Sequence, residues 1–255
     1  MITLKSAEEL KLMREANKIV AETLEEMKEF TKPGITTADL EAIAEEKIRK
    51  TGAKSAFLGY PGPKRPFPSV LCASVNDEVV HGIPSPKRVL KEGDIVSLDF
   101  GVIWKGYFGD AAMTVAVGKI SEEARALLET TEKALLAGIE RAVEGNRVSD
   151  ISAAIQQTVE RRGFSVVRQF VGHGIGRRMH EEPQIPNFVD GTVIGRPRLK
   201  AGMVLAIEPM VNAGSWVVKV LDDGWTAVTE DGGLSAHFEH SVAITPNGPE
   251  LLSVI

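Results

Sequence analysis

Between Asp94 and Val117 the chain reads DIVSLDFGVIWKGYFGDAAMTVAV, two runs of alternating residues around Trp104-Lys105-Gly106. Alternation at period two marks a strand with unlike faces. On the first run Val96, Leu98, Phe100 and Val102 share one face, and Ile95, Ser97, Asp99 and Gly101 share the other. On the second, Asp110, Ala112, Thr114 and Ala116 lie opposite Ala111, Met113, Val115 and Val117. The hairpin this predicts puts Asp99 and Asp110 on one surface under either closure. A turn at Trp104-Lys105 sets them face to face, and a turn at Lys105-Gly106 makes them diagonal neighbours. Their Cβ atoms then lie roughly 4.5–8 Å apart. Two carboxylates that close repel unless a cation or a shared proton intervenes. The expectation is a metal ion between them.

Elsewhere the pattern alternates between helical and extended. Ser6 with Glu9 is a capping box for an amphipathic helix to about Phe30, with Leu10, Met13, Ile19 and Val20 in its apolar stripe. Thr31-Lys32-Pro33-Gly34 ends it. Thr36 or Thr37 caps a second helix over 38–50, stopped by Gly52. Ser121 caps a third to about residue 143, and Ser149-Asp150 a fourth to about 162, closed by Gly163. Strands are predicted at 70–75, 79–80, 165–171, 204–208 and 236–244. Residues 216–221 and 225–229 pair across Asp222-Asp223-Gly224. Residues 59–68 hold four prolines, which demands an extended loop. His81-Gly82-Ile83-Pro84 reads as a turn, and an irregular stretch marked by prolines follows Gly176 through Pro197.

Two blocks recur at nearly equal spacing. Gly34, Asp39 and Gly52 return as Gly145, Asp150 and Gly163, and Leu90-Lys91-x-Gly93 followed by Asp99 returns as Leu199-Lys200-x-Gly202 followed by Glu208. This favours two similar α+β halves sharing one sheet with helices on one face, delivering acids from both halves to the seam. The expectation is a single catalytic domain over residues 1–255, with halves of roughly 1–117 and 118–255.

At 255 residues there is ample length for a core. A net charge of -5 makes nucleic acid an unsuitable main partner. The single cysteine, Cys72, rules out an internal disulfide and fits a reducing compartment. The charged N-terminus lacks a signal-peptide core, and no apolar run of about 18 residues exists. A soluble, cytoplasmic protein is expected.

Chemistry concentrates in acids set in apolar strands. Glu208 ends MVLAIE, and Glu239 lies in SAHFEHSVAI with His237, Ser241 and Ala243 on its face and His240 behind. Any one of Asp99, Asp110, Glu208 and Glu239 could be a hydrated strand-end acid. Four of them, with His173 in the glycine-rich GHGIG segment, make that reading strained. A buried carboxylate without a partner neutralises instead of staying charged. A donor set of oxygens with one imidazole suits a divalent first-row metal, and four acids among five ligands suggest two ions bridged by carboxylates.

LDFG with Asp110 after it, GHGIG around His173, HEEP from His180, IEP around Glu208 and FEH around Glu239 together resemble the type I methionine aminopeptidases, in order and over nearly the whole chain. The resemblance implies the pita-bread fold, an α+β architecture in which helices cover one face of a curved antiparallel sheet. It implies Asp99, Asp110, His173, Glu208 and Glu239 as ligands of two divalent ions (cobalt, manganese, iron or zinc), with Asp110 and Glu239 bridging. It implies hydrolysis of the first peptide bond of a chain that starts with methionine, the substrate amine ligating one metal. Glu208 would shuttle the proton, His81 contact the scissile nitrogen and His180 steady the oxyanion. Tyr60, Phe67, Cys72, Met179 and Trp225 match the lining of the methionine pocket, together with His81 and His180.

Of the remaining histidines, His240 is expected to be structural, and His237 either to sit behind the ligands or to be polar lining. Cys72 has no histidine–acid partner to spare and is not a nucleophile. Pro63-Lys64-Arg65-Pro66 look inserted relative to relatives, which unsettles the place of Phe67. Peptide and nascent-chain N-termini are the implied partners, with transient ribosome contact and a monomeric state as further expectations. The competing readings are a proline-specific aminopeptidase of the same fold and a non-catalytic binding module built on it.

Overall fold

The computed structural model of the chain describes residues 2–189 and 197–254. Four helices, α1 (Ala7–Phe30), α2 (Thr37–Thr51), α3 (Glu122–Glu140) and α4 (Val148–Glu160), punctuate a β-rich chain. Its strands are β1 (Lys54–Ser55), β2 (Leu71–Val75), β3 (Glu78–Val80), β4 (Ile95–Trp104), β5 (Tyr107–Ala116), β6 (Ser165–Val166), β7 (Gly172–Gly174) and β8 (Glu181–Ile185). They continue with β9 (Val204–Ile207), β10 (Met210–Asn212), β11 (Val218–Val220), β12 (Ala227–Thr229), β13 (Ser235–His237), β14 (Glu239–Thr245) and β15 (Gly248–Leu251). The main sheet is antiparallel and runs β1-β4-β5-β14-β9-β7-β8, with β2 also on β4 and β15 on β14. Two small sheets, β13-β10-β6 and β11-β12-β3, flank it.

The long hairpin closes at Lys105-Gly106, with φ of 48° and 84°. Positive φ at both central residues is the primed turn that matches strand twist. Trp104 pairs with Tyr107, so Gly101 faces Asp110 and Asp99 faces Ala112. Of the two closures weighed above, the diagonal one is found. The apolar face behaves as its parity dictates. Val96, Leu98, Phe100 and Val102 are all fully buried in a core with Val20, Leu24 and Leu40 from α1 and α2. A second core under α3 and α4 takes Leu205, Ile207, Val242 and Ile244. Phe100→Ala is expected to cost about 3–5 kcal/mol, the range for emptying a buried aromatic site, read as a lower denaturant midpoint at unchanged slope.

The recurring blocks build the same local structure twice. Asp39 Oδ2 accepts from Thr36 N at 2.7 Å, and Asp150 Oδ2 from Arg147 N at 2.7 Å. Gly34 N donates to Leu90 O and Gly145 N to Leu199 O; Gly93 N donates to Val117 O and Gly202 N to Ile244 O. Thr36 bridges Val89 as Arg147 bridges Arg198.

Besides β1, β7, β10 and β15, for which the sequence predicts no strand, four elements differ from expectation. The N-cap of α4 is Arg147, and Ser149-Asp150 lie inside its first turn, because Asp150 already serves as the partner of the cap amide. The strand expected over 165–171 ends at Val166. Its partner β10 begins after Pro209, whose missing N–H interrupts the ladder. The strand expected over 236–244 breaks at Phe238 for the same reason. Ser235–His237 pairs with β10 on one side of Pro209, and Glu239–Thr245 pairs with β9 on the other. Finally, Glu181–Ile185 is a strand inside the stretch read as irregular, paired with β7. Residues 190–196 of that stretch lie outside the described residues. Among the described residues no helix is long and apolar enough to cross a membrane.

Candidate metal centre

The sheet order carries the site. Asp99 lies on β4, Asp110 on β5, Glu239 on β14, Glu208 just past β9 and His173 on β7, five neighbouring strands in succession. Asp110 and Glu239 are each 2% exposed and His173 6%. One ligand atom from each of these three lies within 4.8 Å of the others. His173 Nε2 stands 3.5 Å from Glu208 Oε1, while its Nδ1 meets Gly174 O at 3.0 Å. That second contact fixes the ring so that Nε2 faces the cavity. Gly174 lets β7 lie against β8, since a Cβ there would collide with the carbonyl oxygen of Glu182.

Electrostatically the cluster asks for a cation. Asp99 Oδ1, Asp110 Oδ1 and Glu239 Oε1 are buried with no hydrogen-bond partner. Burial pushes the Glu208 carboxyl up to about 8. Burial, together with the Glu208 charge and against the pull of His237, takes Asp99 to about 7. Asp110 and Glu239 are raised well above the carboxylate range, by burial first and then by their acidic neighbours. Burial drives His173 the other way, to about 3, keeping it in the neutral form that ligates metals. Several buried acids without partners, beside a neutral imidazole, fit a hard divalent cation.

Above the acids the cavity is apolar. Tyr60, Phe67, Cys72, His81, Met179, His180 and Trp225 all line it, alongside the four acids and the imidazole already described. Phe67 is buried and meets the Trp225 ring edge-on at 5.1 Å, so the extra prolines upstream leave it in the wall. The Pro63–Pro66 segment instead braces Trp225, whose Nε1 donates to Arg65 O at 3.0 Å. Tyr60 Oη and His180 Nδ1 are 2.6 Å apart, and the His180 ring lies 4.3 Å from that of His173. His81 sits at φ 61°, a costly backbone for a residue with a Cβ, and its ring is wedged between Phe170 and Trp225. Burial, with smaller contributions from His237 and His180, lowers its pKa to about 4. Cys72 pairs across the strands with Asp99, and burial followed by that carboxylate raises its thiol. That is the opposite of an activated nucleophile.

Residues 11–246 match metallopeptidase family M24. The chain belongs to this family. It is 58% identical over 255 residues to a methionine aminopeptidase of Clostridium perfringens, covering all of both chains. The crystal structure of the methionine aminopeptidase from Thermotoga maritima is 46% identical, superposes with a TM-score of 0.95 and is likewise covered in full. A prolidase from Pyrococcus furiosus superposes at 0.77 with 22% identity, over 99% of this chain and 65% of its own; that likeness is one of fold. The pita-bread architecture implied by the sequence is therefore the one adopted, and divalent metal use comes with the M24 family.

The M24 cavity also decides the place of His237 and adds residues that sequence reasoning passed over. His237 Nε2 lies 3.7 Å from Glu208 Oε2 and has no hydrogen bond, so it faces the acids directly. Phe57, Phe170 and Met210 complete the apolar wall. Asn187, fully buried, donates Nδ2 to Glu208 O at 3.0 Å and steadies the main chain of that acid. Nothing in a lone asparagine of a proline-marked stretch signals this. His240 bonds Ser253 Oγ at 2.8 Å on the far side of the sheet, in the structural part expected of it.

Proposed function

We propose that this M24 chain is a methionine aminopeptidase that hydrolyses the first peptide bond of polypeptides beginning with methionine. The observation that carries this reading is the juxtaposition of five metal-suited side chains, on five adjacent strands, with an apolar pocket holding three histidines. Asp99, Asp110, His173, Glu208 and Glu239 would hold two divalent ions, with Asp110 and Glu239 shared between them. Bound there, such ions supply Lewis acidity, lowering the pKa of water and polarising a carbonyl. The protein does the rest. Met179, Phe67, Cys72, Tyr60 and Trp225 enclose an unbranched thioether side chain in soft, apolar surroundings. Glu208, whose carboxylate reaches the cavity between His173 and His237, takes the proton of the attacking water and passes it to the leaving amine. His81 is directed at the scissile nitrogen. His180, oriented by Tyr60, donates to the carbonyl oxygen as charge develops on it.

The ions are drawn from cobalt, manganese, iron and zinc, since an oxygen-rich site does not choose among them by donor type. The chain would act as one catalytic domain of two related halves, roughly 1–117 and 118–255, monomeric and cytoplasmic. Its partners are peptide and nascent-chain N-termini, met in transient contact with the ribosome.

Turnover of a Met-Ala peptide and an Xaa-Pro peptide by protein loaded with each ion in turn tests the assignment. Methionine should be released from the first and the second left intact. Cleavage confined to the Xaa-Pro chain would replace this reading with the proline-specific one.

A further inference from the structure

The GHGIG and HEEP motifs contain two residues that the metal chemistry does not use, Gly176 and Glu181. Glu181 opens β8 directly after His180. Its side chain is 6% exposed, and its Oε2 accepts from Lys5 Nζ at 2.8 Å; the Lys5 side chain is 4% exposed. The other oxygen, Oε1, accepts from the amides of Arg177 at 2.9 Å and Arg178 at 3.2 Å. One carboxylate thus fixes two successive peptide units of the loop that ends in Met179 and His180. Gly176 makes room for the pair. A Cβ there would stand 2.5 Å from Lys5 Cε and 2.8 Å from Glu181 Oε1. Lys5 is itself tied down, its amide donating to Gly202 O at 2.7 Å. The loop is held from the other side by Phe108 N, which donates to Gly176 O at 2.9 Å.

A buried ion pair is weak as a source of stability, because desolvation offsets the attraction and apolar side chains of similar volume do as well. What apolar packing cannot do is aim two amides. We propose that the Lys5–Glu181 pair is a positioning device that shapes the 176–180 loop and so fixes His180 beside Tyr60 and His173. What His180 does once placed rests on the aminopeptidase reading; its placement does not.

The test compares Glu181→Gln, Lys5→Met and Lys5→Arg in the full chain, with Leu127→Ala, buried in the core under α3, as a control for general destabilisation. With cobalt bound and a Met-Ala peptide as substrate, Glu181→Gln and Lys5→Met should lower kcat by about tenfold or more, the scale of a misplaced group. KM and cobalt stoichiometry should stay within about twofold, and Lys5→Arg, which keeps the charge in a larger side chain, should lose less rate than Lys5→Met. In metal-free protein carrying 15N-labelled histidine, the His180 imidazole signals should shift in Glu181→Gln and stay put in Leu127→Ala. An unchanged kcat and unchanged His180 signals in Glu181→Gln would overturn the proposal, as would an equal kcat loss in Leu127→Ala. Wild-type protein without turnover of the peptide would refute the aminopeptidase reading alone, and the imidazole signals would still decide the positioning role.

Discussion

Replacing Asp110 with alanine should abolish turnover and metal binding while leaving the chain folded. Loss of residues that merely orient metal ligands already costs about 10–100-fold in affinity or activity. If Asp110 is shared by two ions as proposed, its removal should therefore exceed about 100-fold in kcat and drop the bound metal below one ion per chain. Folding should survive, because the backbone bonds of this residue do not involve its carboxyl. Asp110 N still donates to Asn17 Oδ1, and Asp110 O still accepts from Ser241 Oγ. Metal-free Asp110→Ala should even melt at or above metal-free wild type near neutral pH, since it no longer buries an oxygen without a partner. Metal analysis, turnover and thermal melts on one preparation check all three. Full metal content with undiminished turnover would remove Asp110 from the centre.

Stripping the metal should make stability fall with rising pH between about 6.5 and 8.5. The sign follows from the carboxyls. Asp99 sits at about 7 and Glu208 at about 8 in the folded chain, with Asp110 and Glu239 raised as well. Unfolded acids titrate near 4. Through these acids the folded chain binds more protons than the unfolded one above pH 4, and that stabilisation is lost as pH climbs through the folded values. The buried histidines act oppositely. His173, His81, His180 and His237 are all lowered, so their contribution is complete above about 6.5 and lost on acidification. In the window above 6.5 the histidines are silent, and the raised Cys72 thiol adds to the slope of the acids toward its upper end. Each tenfold difference in proton affinity between the folded and unfolded chain is worth about 1.4 kcal/mol, which moves the melting temperature by about 3–6 °C in a chain of this size. Added divalent ion should cancel the slope, because binding needs the deprotonated acids and tightens as pH rises. Melts of metal-free protein that are flat or rising across the window would show that these acids are solvated.

Asp99 and Asp110 were legible because period two survives in an unbroken hairpin, whichever turn closes it. The same rule brought His237 to the right cavity by the wrong route. Parity counts Ala236 to Ile244 as one strand, whereas Pro209 splits its partner, and His237 comes in on a separate sheet. A proline on a neighbouring strand leaves no mark in the segment it breaks. β8 was obscured by its own Pro183, although an edge strand tolerates a residue that cannot donate. The cap of α4 was misplaced because Ser149 and Asp150 rank high as caps. The recurrence of Gly34–Asp39 as Gly145–Asp150 pointed to the third helical position instead.

Where β5 meets β14, main-chain register extends over two residue pairs, Glu239 with Ala112 and His240 with Ala111. Asp110 and Glu239 belong to opposite ends of that short join. An ion held by both, as proposed, would also be a rivet, and amides of β5 and β14 should exchange with deuterated solvent faster once it is withdrawn.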